Sequence, residues 1–482
     1  MAITSASGPD AAPRKQTLAS NYVDFTSSAT EGWAQQYLPD LMEKEAEIYG
    51  KRTIPGFLSQ VGAEEASNSD RVIWSEQGRL HLAYTCTYQD SNNTYAVVND
   101  MDGNSVTTDH GIRPGDIVLM SNANATARGY VSHVNEDGDN AAEFTVLAYA
   151  DDHMTSADAL NSTDTTGGAH RVLVIGSEFE KGSDPRSTAN APKFKSYSNK
   201  HVILRDYYEV SGSDTAQIGW VEVAGEEGQN GYLWYLKAEG DTRARFTDYL
   251  EMTMLEAETA HADAGAIGGT DGGALQDGTQ GLFQAITSRG HQTTGITGVN
   301  AATDLAEFDA ILAVFDGQGA IEENMMFVDR STSLAIDDML ASMNSYGAGG
   351  TSYGVFDNSE DMALNLGFAG FRRGSYDFYK SDFKYLNDKG TRGGLNDTVN
   401  NIRGVVIPAG TSSVYDEMLG RNLKRPFLHV RYRASQTDNR KMKTWVTGSV
   451  GAATSGVDAM QIHYLSERCL ITQGANNFML MN

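Results

Sequence analysis

The spacing of apolar residues changes near Asp241, and that change excludes any architecture built from one kind of element. From about residue 70 to 235 the apolar side chains come in short or alternating runs. Examples are Arg71-Val72-Ile73-Trp74, Leu80-His81-Leu82-Ala83-Tyr84, Val172-Leu173-Val174-Ile175, His201-Val202-Ile203-Leu204 and Trp220-Val221-Glu222-Val223, with Tyr232-Leu233-Trp234-Tyr235-Leu236 as the last. Runs of this length, broken by Gly, Asn and Asp, predict strands. Beyond Asp241 the residues Phe246, Tyr249, Leu250, Met254 and Ala257 fall on one helical face, with Asp241 placed as an N-cap and the helix reaching about His261. Arg243 and Arg245 near its start and Glu251, Glu256 and Glu258 later oppose the helix dipole, so packing must favour this helix rather than local charge.

The clearest local unit is Gly111 to Tyr149. There Pro114-Gly115-Asp116 turns into Ile117-Val118-Leu119-Met120, followed by Gly129 to Val134, an acidic turn at Asp137-Gly138-Asp139, and Glu143 to Leu147. Three strands joined by tight turns are similar to a small SH3-like barrel. After a glycine-rich stretch, Gly265 to Gly281, the pattern becomes mixed α/β. Thr303 is placed to cap a helix carrying Leu305, Phe308, Ile311, Leu312 and Phe315. Met325 to Val328 reads as a buried strand, and Ser331 or Thr332 opens a second helix carrying Leu334, Ile336, Met339 and Leu340. Strands are expected at Tyr376–Tyr379, Val405–Ile407, Phe427–Tyr432 and Met460–Leu465. At the other end, residues 1–30 are small and polar, and a short helix from Trp33 to Tyr49, with Trp33, Tyr37, Leu41 and Ile48 on one face, ends at Gly50. That arm has too little apolar surface to fold alone. No repeat of fixed period is visible. At 482 residues, two to four domains of α+β class are expected.

Charge narrows the function classes. Asp plus Glu number 63 against 37 Lys plus Arg, a net charge of −26, which is the wrong sign for tight binding of nucleic acid by counterion release. The balance suits a protein that stays soluble when concentrated, or one that faces packaged DNA without trapping it. Two cysteines far apart, Cys86 and Cys469, exclude a disulfide framework and read as small buried apolar residues. No apolar run approaches the roughly 20 residues that cross a bilayer, and Met1 to Thr17 lacks the apolar segment of a secretory signal.

Motifs for chemistry are scarce. The sequence holds no Gly-Lys-Ser/Thr phosphate loop and no His-Glu-x-x-His helix. Asp263, Asp271 and Asp277 lie in the glycine loop without the spacing of an ordered calcium loop. His133 with Glu136, Asp137 and Asp139, and Asp151-Asp152-His153, read as acidic turns. No catalytic residue, metal ligand or cofactor is therefore assigned. Between Arg372 and Lys443, by contrast, basic residues outnumber acidic ones about two to one. A basic stretch on an otherwise acidic chain suits head-to-tail pairing of copies. Arg372, Arg373, Arg421 and Arg425, with Trp33 and Tyr37 of the arm, are the candidate contacts.

The order of these parts resembles the Hong Kong 97-type fold of tailed-phage major capsid proteins. Two stretches carry the resemblance best: the helix–strand–helix run around Met325-Met326-Phe327-Val328-Asp329-Arg330, and Arg403-Gly404-Val405-Val406-Ile407-Pro408. The low-cysteine, tyrosine-rich character is similar to capsid proteins of crAss-like and related podoviruses. The resemblance implies an N-terminal arm at 1–60, an extended β loop at 61–110 and a β-rich insertion with peripheral strands at 111–240. A spine helix with its glycine loop follows at 241–279, then an α/β axial domain at 280–425 and C-terminal strands at 426–482 returning to the peripheral domain. It further implies a non-enzymatic subunit of the virion that assembles in the bacterial cytoplasm as pentamers and hexamers. Scaffolding, portal and head-decoration proteins are its implied partners, along with non-specific contact to double-stranded DNA and no membrane. Two other classes are weighed against it: a fibre or adhesin, which the helical region 241–345 disfavours, and a hydrolase with a β-rich binding module, which needs a convergent polar pocket.

Overall fold

The computed structural model describes residues 63–76, 78–90, 93–106, 110–122, 126–135, 142–150, 170–183, 186, 190, 195–213, 222–224, 230–260, 277–343, 370–396, 401–409, 411–416, 421–448 and 455–482. The chain is α+β and divides into two units, Ser75–Tyr197 and the described parts of Met1–Trp74 with Ser198–Asn482. Strands β1 (Ala63–Ser67) and β2 (Arg71–Glu76) lead into the smaller unit. That unit contains β3 (Ala83–Asp90), β4 (Thr94–Asp100), β5 (Asp116–Ser121), β6 (Thr126–Val134), β7 (Glu143–Ala148) and β8 (His170–Ser177). The six close into an antiparallel barrel in the order β3-β4-β7-β6-β5-β8. Alternation explains it. In β5 the side chains of Asp116, Val118 and Met120 turn inward while Ile117, Leu119 and Ser121 face out. Cys86, Tyr95, Val131, Phe144, Val146 and Val172 complete the interior, with Tyr95 stacked on Phe144 at 5.9 Å. Gly115, at φ +91°, sits where a Cβ would come within 2.9 Å of the Phe179 ring, so the turn before β5 needs glycine.

This barrel is larger than the three-stranded unit expected at Gly111 to Tyr149. Three strands would leave two bare edges; β3 and β4, from the segment assigned to an extended loop, and β8, from beyond residue 149, remove them. The chain leaves the barrel through β9 (Lys195–Lys200), which pairs with β2.

In the larger unit, β10 (Val202–Ser211) is followed by a small ribbon of β11 (Glu222–Ala224) and β12 (Asn230–Tyr232), helix α1 (Leu233–Glu256), helix α2 (Leu282–Arg289) and β13 (His291–Thr293). Next come α3 (Ala301–Gln318), β14 (Glu323–Val328), α4 (Arg330–Met343), β15 (Gly370–Arg373), β16 (Tyr376–Asp382), the single turn α5 (Lys384–Asn387) and β17 (Gly404–Pro408). A second ribbon, β18 (Thr411–Asp416) with β19 (Arg421–Pro426), precedes β20 (Leu428–Arg433), β21 (Lys443–Gly448), β22 (Ala459–Thr472) and β23 (Met479–Met481). The first major sheet runs β1-β20-β22-β10, with β21 also on β22. The 14-residue β22 organises it, taking β10 along one edge and β21 then β20 along the other. Helix α1 lies on one face, where Phe246 and Leu250 pack against Ile462, Tyr464 and Leu204.

The second sheet, β13-β23-β17-β14-β16-β15, is mixed and buried on both faces. Val328 and Met326 of β14 face α3 and α4, meeting Phe308, Ile311, Phe315, Ile336, Met339 and Leu340. Phe327, Val405, Ile407 and Leu480 face the opposite way, toward α2 and α5. A continuous apolar run such as Gly404-Val405-Val406-Ile407-Pro408 is what a strand covered on both sides requires.

Four helix boundaries differ from expectation. Helix α1 starts at Leu233, eight residues before the expected cap Asp241, because Leu233 to Glu239 are mostly good helix formers. It stops at Glu256 rather than near His261, where the Gly281 amide donates to the Ala257 carbonyl at 2.8 Å and takes over the helix end. Asn300, not Thr303, caps α3, its side chain accepting from the Thr303 amide at 2.9 Å; Asp329 does the same for the Thr332 amide at the start of α4. Finally, the strands from Phe427 to Met481 do not stay together. β20 to β22 join the first sheet, while β23, with all three residues buried, inserts between β13 and β17 of the second.

Candidate assembly surfaces

The basic stretch Arg372 to Lys443 is largely neutralised within the chain. Arg373 holds Asp309 of α3 in a bidentate pair at 2.5 and 2.7 Å, which keeps the Asp309 carboxyl below the usual range and raises the arginine. Its neighbour Arg372 sits 3.6 Å from Asp377 across the β15–β16 pair. Lys380, almost buried, lies 2.5 Å from Asp337 and donates to the Ser333 carbonyl. Arg392 reaches Glu256 at 3.0 Å, where the Tyr385 hydroxyl also donates. On the first sheet Arg431 pairs with Glu65, Arg440 with Glu467, and Lys441 with Glu64. The acids come from all along the chain, so among the described side chains most of the local positive charge is paired within the chain.

Arg372 and Arg373 are therefore brought together on β15, each beside an acid of its own chain. Arg421 and Arg425 lie on β19, whose side chains fall outside the described residues, and Trp33 and Tyr37 lie outside them altogether. Sequence reasoning missed the acids Asp309, Asp377, Glu256 and Glu65. Nothing local marks them, since most stand tens or hundreds of residues from their partners.

Reactive chemistry finds little support among the described residues. Cys469 lies 3.7 Å from the His201 ring, an arrangement that would suit a nucleophile if the thiol ionised readily. Instead, burial pushes the thiol up to about 12 and lowers the pKa of His201, so both stay neutral at pH 7. Cys86 is buried in the barrel, which raises its thiol further. No group of three or more His, Cys, Asp and Glu among the described residues is placed to hold a metal ion. Asp277 pairs with Lys200 at 2.6 Å, while Asp263, Asp271, Glu136, Asp137, Asp139, Asp151, Asp152 and His153 lie outside the described residues. Among the described residues, no helix is long and apolar enough to cross a membrane.

Among the described residues, two surfaces group aromatic or apolar side chains that are at least partly exposed. The face of the first sheet turned away from α1 carries Tyr207, His463 and Trp445 side by side on β10, β22 and β21, with ring centroids 5.9 and 5.2 Å apart. The Thr447 hydroxyl is 2.7 Å from His463 Nε2 and fixes the ring. The second surface is the outside of the barrel, where Leu147, Tyr149, Leu173, Ile175 and Phe179 are all exposed.

No family model and no curated protein matches the sequence. Solved structures similar to the chain come from phage and phage-like particles. One, from Gordonia phage Cozz, is 9% identical over 96% of this chain and 98% of that one, with a TM-score of 0.40. Another, from Microbacterium phage Oxtober96, is 7% identical over 92% and 95%, with a TM-score of 0.37. A third, the capsid of a native GTA particle, is 9% identical over 94% and 98%, with a TM-score of 0.36. At such identities and TM-scores no residue or contact is carried from those particles to this chain.

Proposed function

We propose that the chain is the major capsid protein of a tailed, double-stranded-DNA phage: a structural subunit of the Hong Kong 97 type, without enzymatic activity, that builds the head. The order of parts carries this reading. Helix α1 lies along a sheet completed by a late strand, β22; a mixed α/β sheet is built between them in sequence; and a closed barrel is inserted ahead of both. In this reading α1 is the spine helix, its sheet the peripheral domain, and the second sheet the axial domain. Residues 1–60 are the arm, and the barrel interrupts the extended-loop region. Subunits meet head to tail around five- and six-fold axes, and adjoining rings are tied by arms reaching over neighbours. Arg372, Arg373, Arg421, Arg425, Trp33 and Tyr37 are the proposed contacts. Scaffolding, portal and decoration proteins are the other partners in the virion, which is assembled in the host cytoplasm, and the inner surface touches packaged DNA without sequence preference.

Expression of the full chain, alone and with its scaffolding protein, followed by negative-stain imaging, tests the reading. Closed shells or five- and six-fold rings support it. A chain that stays monomeric at every concentration and with scaffold present refutes it.

A further inference from the structure

The outside of the barrel carries more apolar surface than its own stability requires. Strand registers set Leu173 (β8), Leu119 (β5) and Arg128 (β6) in one row. The neighbouring row holds Ile117, Tyr130 and Leu147 on β5, β6 and β7, with Ile175 beside Ile117 at the bulge of β8. Leu147, Ile175 and Leu173 are 54%, 51% and 36% exposed. Alternation puts one residue in two on the outside of a barrel, and those positions are ordinarily polar on a surface that meets only water. Contiguous apolar residues over several strands mark a surface that meets something else.

Charge at the two ends of this patch says what. Along the exposed side of β8 run Arg171, Leu173 and Ile175, and just past the strand comes Glu178. Arg171 is exposed at one end and has no ion pair among the described residues. Glu178 is exposed at the other, its carboxylate accepting a hydrogen bond from the Tyr149 hydroxyl on the same outer face. Because the bulge at Ile175 takes one residue out of the ladder, six pairing steps separate the two charges by about 20 Å. The row therefore reads positive, apolar, apolar, negative. Turned through 180° about an axis between Leu173 and Ile175, it becomes its own complement: Arg171 meets Glu178, Leu173 meets Ile175, and each contact occurs twice. A surface with this symmetry fits an isologous contact, in which one patch serves both partners.

We propose that the outer face of the barrel, centred on Leu173 and Ile175, pairs two copies of this chain about a two-fold axis. The occupant is a second barrel. An acidic or a basic partner would satisfy only one end of the patch and leave the other charge to be desolvated beside apolar surface. The contact is argued from the barrel alone and holds whether or not the chain closes into a shell.

Crosslinking in the full chain tests it. Ile175→Cys, near the axis, should form a disulfide-linked dimer under mild oxidation, because both native cysteines are buried. Leu80→Cys, at a position 87% exposed but off the patch, is the control and should link far more slowly. Adding Arg171→Glu to Ile175→Cys should slow dimer formation about tenfold, and adding Glu178→Arg as well should restore it, since reversal of both charges preserves the complement. Unchanged far-UV circular dichroism and melting in each variant separate loss of contact from loss of fold. The proposal is overturned if Ile175→Cys links no faster than the control. It is equally overturned if the double reversal fails to recover what the single reversal loses, which would assign the patch to a different partner.

Discussion

The barrel and the larger unit treat their surfaces in opposite ways. In the larger unit the α/β sheet is covered on both faces, and its basic residues are held by acids drawn from distant segments, as Arg373 is by Asp309 and Arg392 by Glu256. In the barrel the core is a single layer of inward residues, and the outside keeps exposed leucine and isoleucine beside Arg171, which has no ion pair among the described residues. The difference is one of degree: the barrel also forms ion pairs, Arg186 with Asp116 and Arg79 with Asp102, and the larger unit also exposes Tyr207 and Ile203. The contrast teaches that a charged stretch in sequence is a poor guide to where partners bind. The stretch from Arg372 to Lys443 is the most basic part of the chain, yet most of its described side chains are satisfied at home.

The comparison can be broken first at the two cores. Phe308 packs against Phe371 at 5.5 Å, tilted to it, and edge-on to Phe378 at 5.1 Å, so Phe308→Ala should cost about 3–5 kcal/mol. Phe144→Ala in the barrel should cost a similar amount. If the units melt separately, calorimetry of each variant will show one lowered transition and one unchanged; a single transition lowered equally by both would show that they unfold as one. A smaller, pH-dependent effect belongs to the larger unit. Burial, the leading cause, lowers the folded pKa of His201, with Arg431 adding to it and Glu467 opposing. The neutral ring is therefore favoured on folding, and its contribution is full above the unfolded value of about 6.5 and is lost as pH falls below it. His201→Asn should remove that loss from denaturant titrations between neutral and mildly acid pH.

Smaller still is the effect of Arg373→Ala, which breaks a pair partly open to water and should cost no more than about 1 kcal/mol in urea unfolding. The same pair supplies a low-pH signature. Since Asp309 is held below its usual range, the difference between the native chain and Asp309→Asn should be full above about pH 4 and vanish as pH falls through the folded value. Least affected should be the stability of Arg171→Glu, within about 0.5 kcal/mol of the native chain, because the side chain is exposed and unpaired among the described residues. A larger change would show that Arg171 supports the barrel, and the contrast between the units would lose its main example.

What was legible in the sequence was periodic. The helical faces carrying Phe315 and Leu340 and the alternation of β5 to β7 appear where the spacing places them, whereas the change from strand to helix comes at Leu233, eight residues before Asp241. Boundaries were less legible because propensity and packing disagree there. Tyr232 to Leu236 has the aromatic look of a strand, but the helix already begins at Leu233. Closure of the barrel was invisible since β3 and β8 meet only after nearly the whole unit is threaded between them. The ion pairs follow the same logic. Arg373 and Asp309 are 64 residues apart, and no pattern at either position announces the other.

The strands β2 and β9 bring Trp74 and Ser198 to the same small ladder, with Arg71 Nη2 donating to Ser198 Oγ at 2.6 Å. A chain that departs and returns through neighbouring strands has made its excursion optional. The segment in between can be excised and the gap spanned by a tight turn, or exchanged for a different module, without rethreading anything that follows. Such a junction lets an ancestral scaffold and its appendage diversify on separate evolutionary schedules, the scaffold under the constraint of fitting itself and the appendage free to acquire new neighbours.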